Sequence, residues 1–186
     1  MPDTKKCSLG AGVDLERIDG ILSEWRGTIG ADYDGYRNHV VRMVTFCLML
    51  SECSAEERQK LEIAACFHDI GLWAGNTFDY LSPSVPPARE YLQANGLEQW
   101  ADEIGAMILE HHKLRPVRAG SPLIELFRKG DLVDFSLGLV RFELPKALVR
   151  EVREEFANAG FHRALVRMAS AWFVRHPSNP APMVKW

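Results

Sequence analysis

Apolar side chains recur every three or four positions along most of this chain, which is the spacing of one face of an α-helix. The segment 14–28 illustrates the pattern, because Ile18, Ile21, Leu22 and Trp25 fall on one side of a helical wheel. No stretch shows the sustained alternation of apolar and polar residues that is typical of a half-buried strand. The pattern therefore predicts an all-α fold, a helical bundle in which each helix buries one face.

Signals for helix starts and ends divide the chain into a series of predicted helices. Ser54-Ala55-Glu56-Glu57 has the pattern of a capping box, and Ser121-Pro122 places proline in the first turn after a serine cap. Residues 71–87 are rich in Gly, Pro, Ser and Asn and are predicted to form a long connection. Prolines exclude a helix from the tail, 177–186. The predicted helices cover about 14–28, 35–51, 54–68, 88–94, 97–113, 122–142, 146–159 and 161–175.

Length and composition favour a single domain, 1–186. The chain has 47% apolar and 25% charged residues, as ordinary globular proteins do. Its longest apolar run, 43–50, is much shorter than the ~20 residues of a membrane-spanning helix. The first residues lack the hydrophobic segment of a secretion signal, so we expect a cytoplasmic protein with no membrane partner. A net charge of −3 argues against nucleic acid as a partner. Four cysteines, at positions 7, 47, 53 and 66, show no disulfide or zinc-binding pattern.

Four of the predicted helices carry a histidine or an aspartate in line with their apolar face. His39 lies on the apolar stripe of its helix, His68 follows the stripe of the next, and His111 continues a third. Asp131 extends the stripe of the helix that starts at Ser121. A buried carboxylate is costly unless it is paired or bound to a cation. Imidazoles and carboxylates on the inward faces of four helices therefore indicate a metal site.

The adjacent pair His68–Asp69 strengthens this interpretation. It stands at the end of an apolar helical run, just before Gly71. Neighbouring residues on a helix point about 100° apart, so they share a target only where the backbone loosens at a helix end. A metal ion is such a target. Nitrogen and oxygen donors suit a divalent transition metal such as Fe, Mn, Ni, Co or Zn, and the lack of sulfur ligands excludes soft thiolate sites.

The order His39, His68–Asp69, Asp131 resembles the signature of the HD-domain superfamily of metal-dependent phosphohydrolases. The resemblance lies in Tyr36-Arg37-Asn38-His39, Phe67-His68-Asp69-Ile70-Gly71 and Lys129-Gly130-Asp131. It covers about residues 35–135, and implies a helical bundle of the HD type with additional N- and C-terminal helices. The C-terminal extension is predicted over about 145–176.

The same resemblance bears on the number of metal ions. Many relatives with Asp-Ile-Gly after the histidine bind two metals through two more histidines before the last aspartate. This chain has His111 and His112 but no histidine from 70 to 110. We therefore expect one metal per chain, bound by the signature residues His39, His68, Asp69 and Asp131. Either His111 or His112 would then lie beside the open position.

In the hydrolytic interpretation, a metal-activated water attacks the phosphoryl group of a small phosphorylated metabolite or nucleotide. Asp69 would orient or deprotonate that water, and His111 or His112 would protonate the leaving group. His112 could instead orient His111. Lys113 and Arg42 are the candidates to bind the phosphate. The segment 73–81 contains three aromatic residues, which would either wall the substrate pocket or close the core.

Three other functions remain open from the sequence. Related enzymes include di-iron oxygenases of organophosphonates and hydratases of small nitrogen compounds such as cyanamide. A metal-binding domain without catalysis would keep the same fold.

The C-terminal region, with Trp172, Phe173, Met183 and Trp186, could form a homodimer surface or pack on the bundle. The sequence does not choose the substrate or the metal.

Overall fold

The computed structural model of the protein describes residues 12–118 and 120–184. Within these ranges the chain forms helices and no β-strand, which confirms the all-α prediction. Short 3-10 helices cover Gly30–Asp32 and Glu98–Trp100. The α-helices are α1 (Leu15–Glu24), α2 (Arg26–Ile29), α3 (Tyr33–Leu50), α4 (Ala55–Phe67), α5 (Gly71–Ala74), α6 (Leu81–Ala94), α7 (Ala101–Glu110), α8 (Pro122–Phe135), α9 (Lys146–Glu155) and α10 (Phe161–Arg175).

The two helix starts with the clearest sequence signals lie where they were predicted. The Ser54 hydroxyl accepts from the backbone N–H of Glu57, whose carboxylate accepts from the Ser54 N–H, so both halves of the capping box form. Ser121 caps α8 in the same way by accepting from Leu123 N, and Pro122 occupies the first turn. These local contacts set the starting points, and hence the phase, of two helices that carry site residues.

Helix α3 is the centre of the bundle and packs most extensively against α8. Gly130 makes this close approach possible, because a Cβ at that position would lie 2.7 Å from the Met43 carbonyl oxygen and would also overlap Cys47. The small residue thus lets the two helix backbones come near each other. As a result, the polar positions of α8 next to Gly130 face those of α3.

The prediction of a long connection over 71–87 is wrong. The structure has the short helix α5 there, and α6 begins at Leu81. Pro86 and Pro87 lie inside α6, although proline removes a backbone donor from the helix interior. Burial of Leu92 and contacts between α6 and α7 stabilise the helix despite these prolines. Tertiary packing therefore overrides the local signal.

Several other predicted helices end early or are interrupted, among them α7, which ends at Glu110 rather than 113, and α9, which ends at Glu155 rather than 159. Trp25 interrupts the first predicted helix, so that α1 and α2 replace a continuous helix over 14–28. Helix α8 ends at Phe135 rather than near 142, because Leu137 and Gly138 both adopt positive φ angles, 56° and 79°. The Gly138 N–H closes this end by donating to the Val133 carbonyl.

The C-terminal helices pack on the bundle with part of their surface. Val149 and Val152 of α9 join a small core with Phe46, and Phe161 of α10 enters the main core. Met183 is buried in a cluster with Leu72 and Tyr80, whereas 53% of Phe173 is exposed. Trp186 lies outside the described residues, and a homodimer through this region stays a prediction.

No described helix is both long enough and apolar enough to cross a membrane. The cysteines at 47, 53 and 66 are buried and unpaired, and Cys7 lies outside the described residues.

Candidate metal centre

Five of the predicted site residues converge in the middle of the bundle. His39 comes from the middle of α3, His68 and Asp69 from the end of α4, His111 from the end of α7 and Asp131 from α8. Each is at most 4% exposed. The His39 Nε2 atom lies 3.1 Å from His68 Nε2 and 3.5 Å from an Asp131 carboxylate oxygen. Asp69 lies between two imidazoles, with oxygens 3.2 Å from His68 Nε2 and 3.6 Å from His111 Nε2.

The end of α4 explains how two adjacent residues reach one point. His68 is the last residue to continue the helix, and the chain then turns into α5 at Gly71. A Cβ at Gly71 would lie 2.5 Å from the Tyr80 carbonyl oxygen and 3.1 Å from Ser84 N. The glycine therefore allows the chain to turn tightly against the start of α6. The Ile70 N–H donates to the Phe67 carbonyl oxygen and the Leu72 N–H to that of Asp69, each three positions back, so His68 and Asp69 lie in tightened turns rather than in the regular α-helix.

Hydrogen bonds hold three imidazoles in the same tautomer. The Nδ1 atom of His68 lies 2.7 Å from the Ala65 carbonyl oxygen, and that of His111 lies 2.8 Å from the Ile108 carbonyl oxygen. Carbonyl oxygens only accept, so each Nδ1 carries the proton. His39 Nδ1 donates in the same way to Asp134, at 2.7 Å. In the neutral rings, all three Nε2 atoms therefore present a lone pair to the shared space.

This arrangement fits a bound cation. Two imidazole lone pairs that face each other at 3.1 Å repel unless a positive charge lies between them. In addition, His111 Nε2 and Asp69 Oδ1 are buried and have no hydrogen-bond partner among the described residues. Such orphaned atoms are costly in a protein interior and are explained by an ion, or by a water beside that ion, to which they would bond. The nitrogen and oxygen donors match a divalent transition metal.

The electrostatics of the cluster also favour a positive charge there. Burial by itself would raise the pKa of Asp69, but His68 and His111 outweigh it and hold that pKa well below its usual value. Burial opposes protonation of His68, yet Asp69 outweighs burial and raises the pKa of that imidazole. Burial raises the pKa of Asp131. Without a metal, the cluster thus tends to take up a proton in its place.

Residues 36–155 match the family model of the HD domain, which is more than half of the chain. The chain belongs to the HD-domain family. This family consists mainly of metal-dependent hydrolases, and its superfamily is that of the metal-dependent phosphohydrolases. No similar protein was found among curated proteins or among solved structures. The match runs beyond the predicted core end near residue 135 and includes α9, whereas α10 lies outside it.

The described part of this HD domain contains three overlapping groups of candidate ligands. One is His39, His68 and Asp131, and the second is His68, Asp69 and His111. The third combines His111 and Asp131 with His112. The potential ligand atoms in each group lie within 4.8 Å of one another. The four residues predicted to bind the metal are therefore together, and His111 lies close enough to act as a fifth ligand.

Asp134 holds His39 on the side of its ring that faces away from the other candidate ligands. Its carboxylate accepts from His39 and also from the Arg42 guanidinium, at 2.6 and 2.7 Å. Burial would raise the pKa of Asp134, but the bonds from His39 and Arg42 outweigh it and lower that pKa. The carboxylate is thus kept ionised and can hold the His39 ring. In the sequence, the only signal was that Arg42 follows His39 by three positions, as Asp134 follows Asp131.

The structure does not support Arg42 as a substrate ligand. Its side chain is 1% exposed, and its remaining donors reach the carbonyl oxygens of Phe156 and Ala157 at 2.9 and 3.1 Å. Every direction of the guanidinium fork is therefore used inside the protein. Because Arg42 lies one helical turn after His39, the sequence predicted that it would be near the metal centre. The sequence could not show that Asp134 would form an ion pair with it.

His112 lies beside the cluster and contacts Tyr80. The Tyr80 hydroxyl lies 2.5 Å from His112 Nε2. Burial raises the pKa of Tyr80 well above its usual value, so the hydroxyl keeps its proton and donates it to this bond. Burial, reinforced by His111, lowers the pKa of His112 well below the usual histidine value, which leaves the ring neutral at neutral pH. Tyr80 was predicted only as one of three aromatics after the His-Asp pair.

A cavity of about 380 Å³ leads from the cluster to the surface. Lys113 lies in its wall as predicted, and so do Phe78 and Tyr80 of the aromatic segment. The third aromatic, Trp73, packs on Tyr36 in the core instead. Several cavity residues were missed by the sequence reasoning, most of them in or near α10. His162 and Phe161 follow the predicted core, and Phe161 stacks on His39 at a centroid distance of 4.2 Å.

Proposed function

We propose that this protein is a metal-dependent hydrolase that cleaves a phosphoric ester of a small molecule. One divalent transition metal would be held by His39, His68, Asp69 and Asp131. The observation that carries the proposal is the set of imidazole lone pairs and carboxylate oxygens that face one buried point at the base of a cavity. Membership of the HD-domain family supports hydrolysis as the reaction type.

A divalent cation supplies two effects when it is bound, because it makes water more acidic and withdraws electrons from the bond to be cleaved. Asp69 is the candidate to orient the attacking water and accept its proton, since Asp69 Oδ1 has no partner among the described residues. Its lowered pKa means that this carboxylate is ionised, so it can bind the cation and hold the water by a hydrogen bond. The water adds to phosphorus, and the bond between phosphorus and the leaving oxygen breaks.

The leaving oxygen needs a proton, and His111 is the better candidate to give it. Its Nδ1 atom is fixed by the Ile108 carbonyl oxygen, so Nε2 is the atom that can carry a proton to and from the reaction centre. The lowered pKa of His112 leaves its ring neutral at neutral pH, so it has no imidazolium proton to give. We therefore assign His112 a positioning role: its bond with Tyr80 fixes the ring, and the fixed ring orients His111. Lys113 in the cavity wall is the remaining candidate to bind the phosphoryl group.

The test is hydrolysis by protein loaded separately with Mn²⁺, Fe²⁺, Co²⁺, Ni²⁺ and Zn²⁺. The substrates are p-nitrophenyl phosphate and bis(p-nitrophenyl) phosphate. We expect metal-dependent release of p-nitrophenol, which Asp69→Asn lowers about 100-fold or more. His176→Ala is the matched control, because His176 is exposed on the tail and should leave the rate unchanged. No release with any of the five metals would contradict the proposal.

A second candidate, a di-iron oxygenase, is favoured by one observation. His111 brings a fifth donor to the cluster, and the overlapping groups of ligands could divide between two ions. That function predicts two irons per chain and consumption of oxygen with a phosphonate substrate. Phosphate release without oxygen consumption would exclude it.

A further inference from the structure

The wall of the cavity above the metal centre is mainly apolar. Helix α10 provides one side of it with Phe161, Leu165 and Ala169, which recur every four positions and therefore share one face. Phe78 and Phe135 contribute aromatic rings from other parts of the chain. A cavity with such walls gains from contact with an apolar ligand group, because that group leaves water on binding.

The mouth of the cavity is apolar as well. Leu114 is 57% exposed there, Phe135 46% and Val166 65%. Single exposed apolar residues are common, but three at one opening form a patch that points to a binding site. Apolar side chains thus line the cavity both beside the metal centre and where its wall is exposed to solvent.

Of the two positive charges in the cavity wall, that of Arg128 is committed to a carboxylate, and that of Lys113, in a partly exposed pair, is left to bind a single phosphoryl group. Arg128 forms a bidentate pair with Glu125, at 2.8 and 2.7 Å, and also donates to the Lys113 carbonyl oxygen. The Lys113 ammonium pairs with Glu110. Among the described residues of the wall, no further lysine or arginine is present. A chain of several phosphates would need unpaired cations along its length, and this wall does not offer them.

We infer that the substrate is a phosphoric monoester of an apolar alcohol or phenol, rather than a nucleotide or a sugar phosphate. The inference rests on the proposed function. Its single phosphoryl group lies at the metal centre, and the apolar group fills the cavity toward Val166. The cavity volume of about 380 Å³ lies at the lower end of the range for small-molecule sites, which suits a compact ester.

The side of the cavity that α10 forms belongs to the C-terminal addition to the family fold. The HD-domain match ends at residue 155, whereas Phe161, Leu165 and Ala169 all belong to α10. Phe161 joins the two regions, because its ring stacks on His39 at an interplanar angle of 13°. The family core thus provides the candidate metal ligands, and the added helix determines which leaving groups fit beside them.

The test compares esters that share one reaction but differ in the leaving group. The probes are 1-naphthyl phosphate, methyl phosphate, glucose 6-phosphate and AMP, each with the metal-loaded protein. We expect kcat/KM for 1-naphthyl phosphate to exceed that for glucose 6-phosphate and AMP about tenfold or more. Val166→Asp should lower the ratio of kcat/KM for 1-naphthyl phosphate to kcat/KM for methyl phosphate about tenfold, because only the larger leaving group reaches this part of the wall. Val174→Asp is the matched control, because Val174 lies on the same helix, is 80% exposed and is absent from the cavity wall.

A binding measurement separates failure of this inference from failure of the proposed function. The probe is 1-naphthol, whose fluorescence reports binding to metal-free and metal-loaded protein. Binding that Val166→Asp weakens and Val174→Asp does not supports the apolar cavity, even if no ester is hydrolysed and the hydrolase proposal fails. Hydrolysis with glucose 6-phosphate or AMP as the better substrate overturns the inference and keeps the hydrolase. Absence of 1-naphthol binding also overturns it.

Discussion

The three imidazoles of the candidate centre differ in what holds their Nδ1 atoms. Backbone carbonyl oxygens hold His68 and His111, so no substitution at a partner side chain can release them. His39 depends on a side chain, Asp134, which is also the partner of the buried Arg42. Asp134 is therefore the one support of these rings that a single mutation can remove without touching a ligand.

We expect Asp134→Asn to weaken metal binding about 10- to 100-fold, because the neutral amide holds the His39 ring less firmly. It also leaves the Arg42 charge buried without its counter-ion, which should lower the free energy of unfolding by about 3–5 kcal/mol. Metal titration and urea unfolding measure the two effects. Asp79→Asn is the control, since Asp79 is exposed. Unchanged metal affinity in Asp134→Asn would show that His39 does not depend on this bond.

The pKa of His68 makes metal binding sensitive to acid. Asp69 outweighs burial and raises that pKa, so protons begin to occupy the ring at a pH above the usual histidine value of about 6.5. A protonated imidazole cannot bind a metal, and the affinity should therefore fall as the pH is lowered through this range. If metal binding displaces one proton, the metal affinity falls about tenfold for each pH unit. Competition with a chromophoric chelator between pH 8 and 5.5 measures the effect, and an affinity that stays constant would contradict it.

At the scale of helices, the contact between α3 and α8 determines the geometry of the centre. His39 and Asp131 lie on opposite sides of this contact, and Gly130 is the residue that keeps it close. The distance between their functional atoms, 3.5 Å, consequently depends on a residue that carries no chemistry itself.

We expect Gly130→Ala to push α8 away from α3, because the new Cβ would lie 2.7 Å from the Met43 carbonyl oxygen. The strain should lower the free energy of unfolding by about 1–3 kcal/mol and weaken metal binding. Gly20→Ala is the matched control. Gly20 lies in α1 with nothing within 4 Å of the added Cβ, so this substitution should be neutral or stabilise by up to about 1 kcal/mol. Equal stability of the two variants in urea would contradict this account.

At the scale of the whole molecule, a bound metal should stabilise the fold as well as the site. The candidate ligands come from α3, α4, α7 and α8, and repulsion among their lone pairs acts on all four helices. We expect one divalent ion per chain by elemental analysis, and a lower melting temperature after treatment with a chelator. His68→Ala should contain no metal and show no effect of the chelator. Two ions per chain would contradict the single site and favour the di-iron alternative.

Much of the fold followed from local patterns in the sequence. Helical periodicity predicted an all-α bundle, and the caps at Ser54 and Ser121 predicted two helix starts, since each depends on contacts within a few residues. Periodicity also placed His39 and Asp131 on inward faces, and both are buried. The prediction for the segment 71–87 was wrong because the structure there depends on distant contacts. Packing of α6 against α7 stabilises a helix that its prolines disfavour.

The sequence by itself determined the all-α class, most of the helices with their buried faces, and the order of histidines and aspartates that marks the HD-domain family. Only the tertiary structure decided which partner each of these side chains has. Asp134 forms an ion pair with Arg42, which lies 92 positions earlier in the chain, and Phe161 of α10 stacks on His39. The physical reason is that helix formation depends on neighbours in the chain, whereas hydrogen-bond partners and cavity walls depend on residues that come together only when the helices pack.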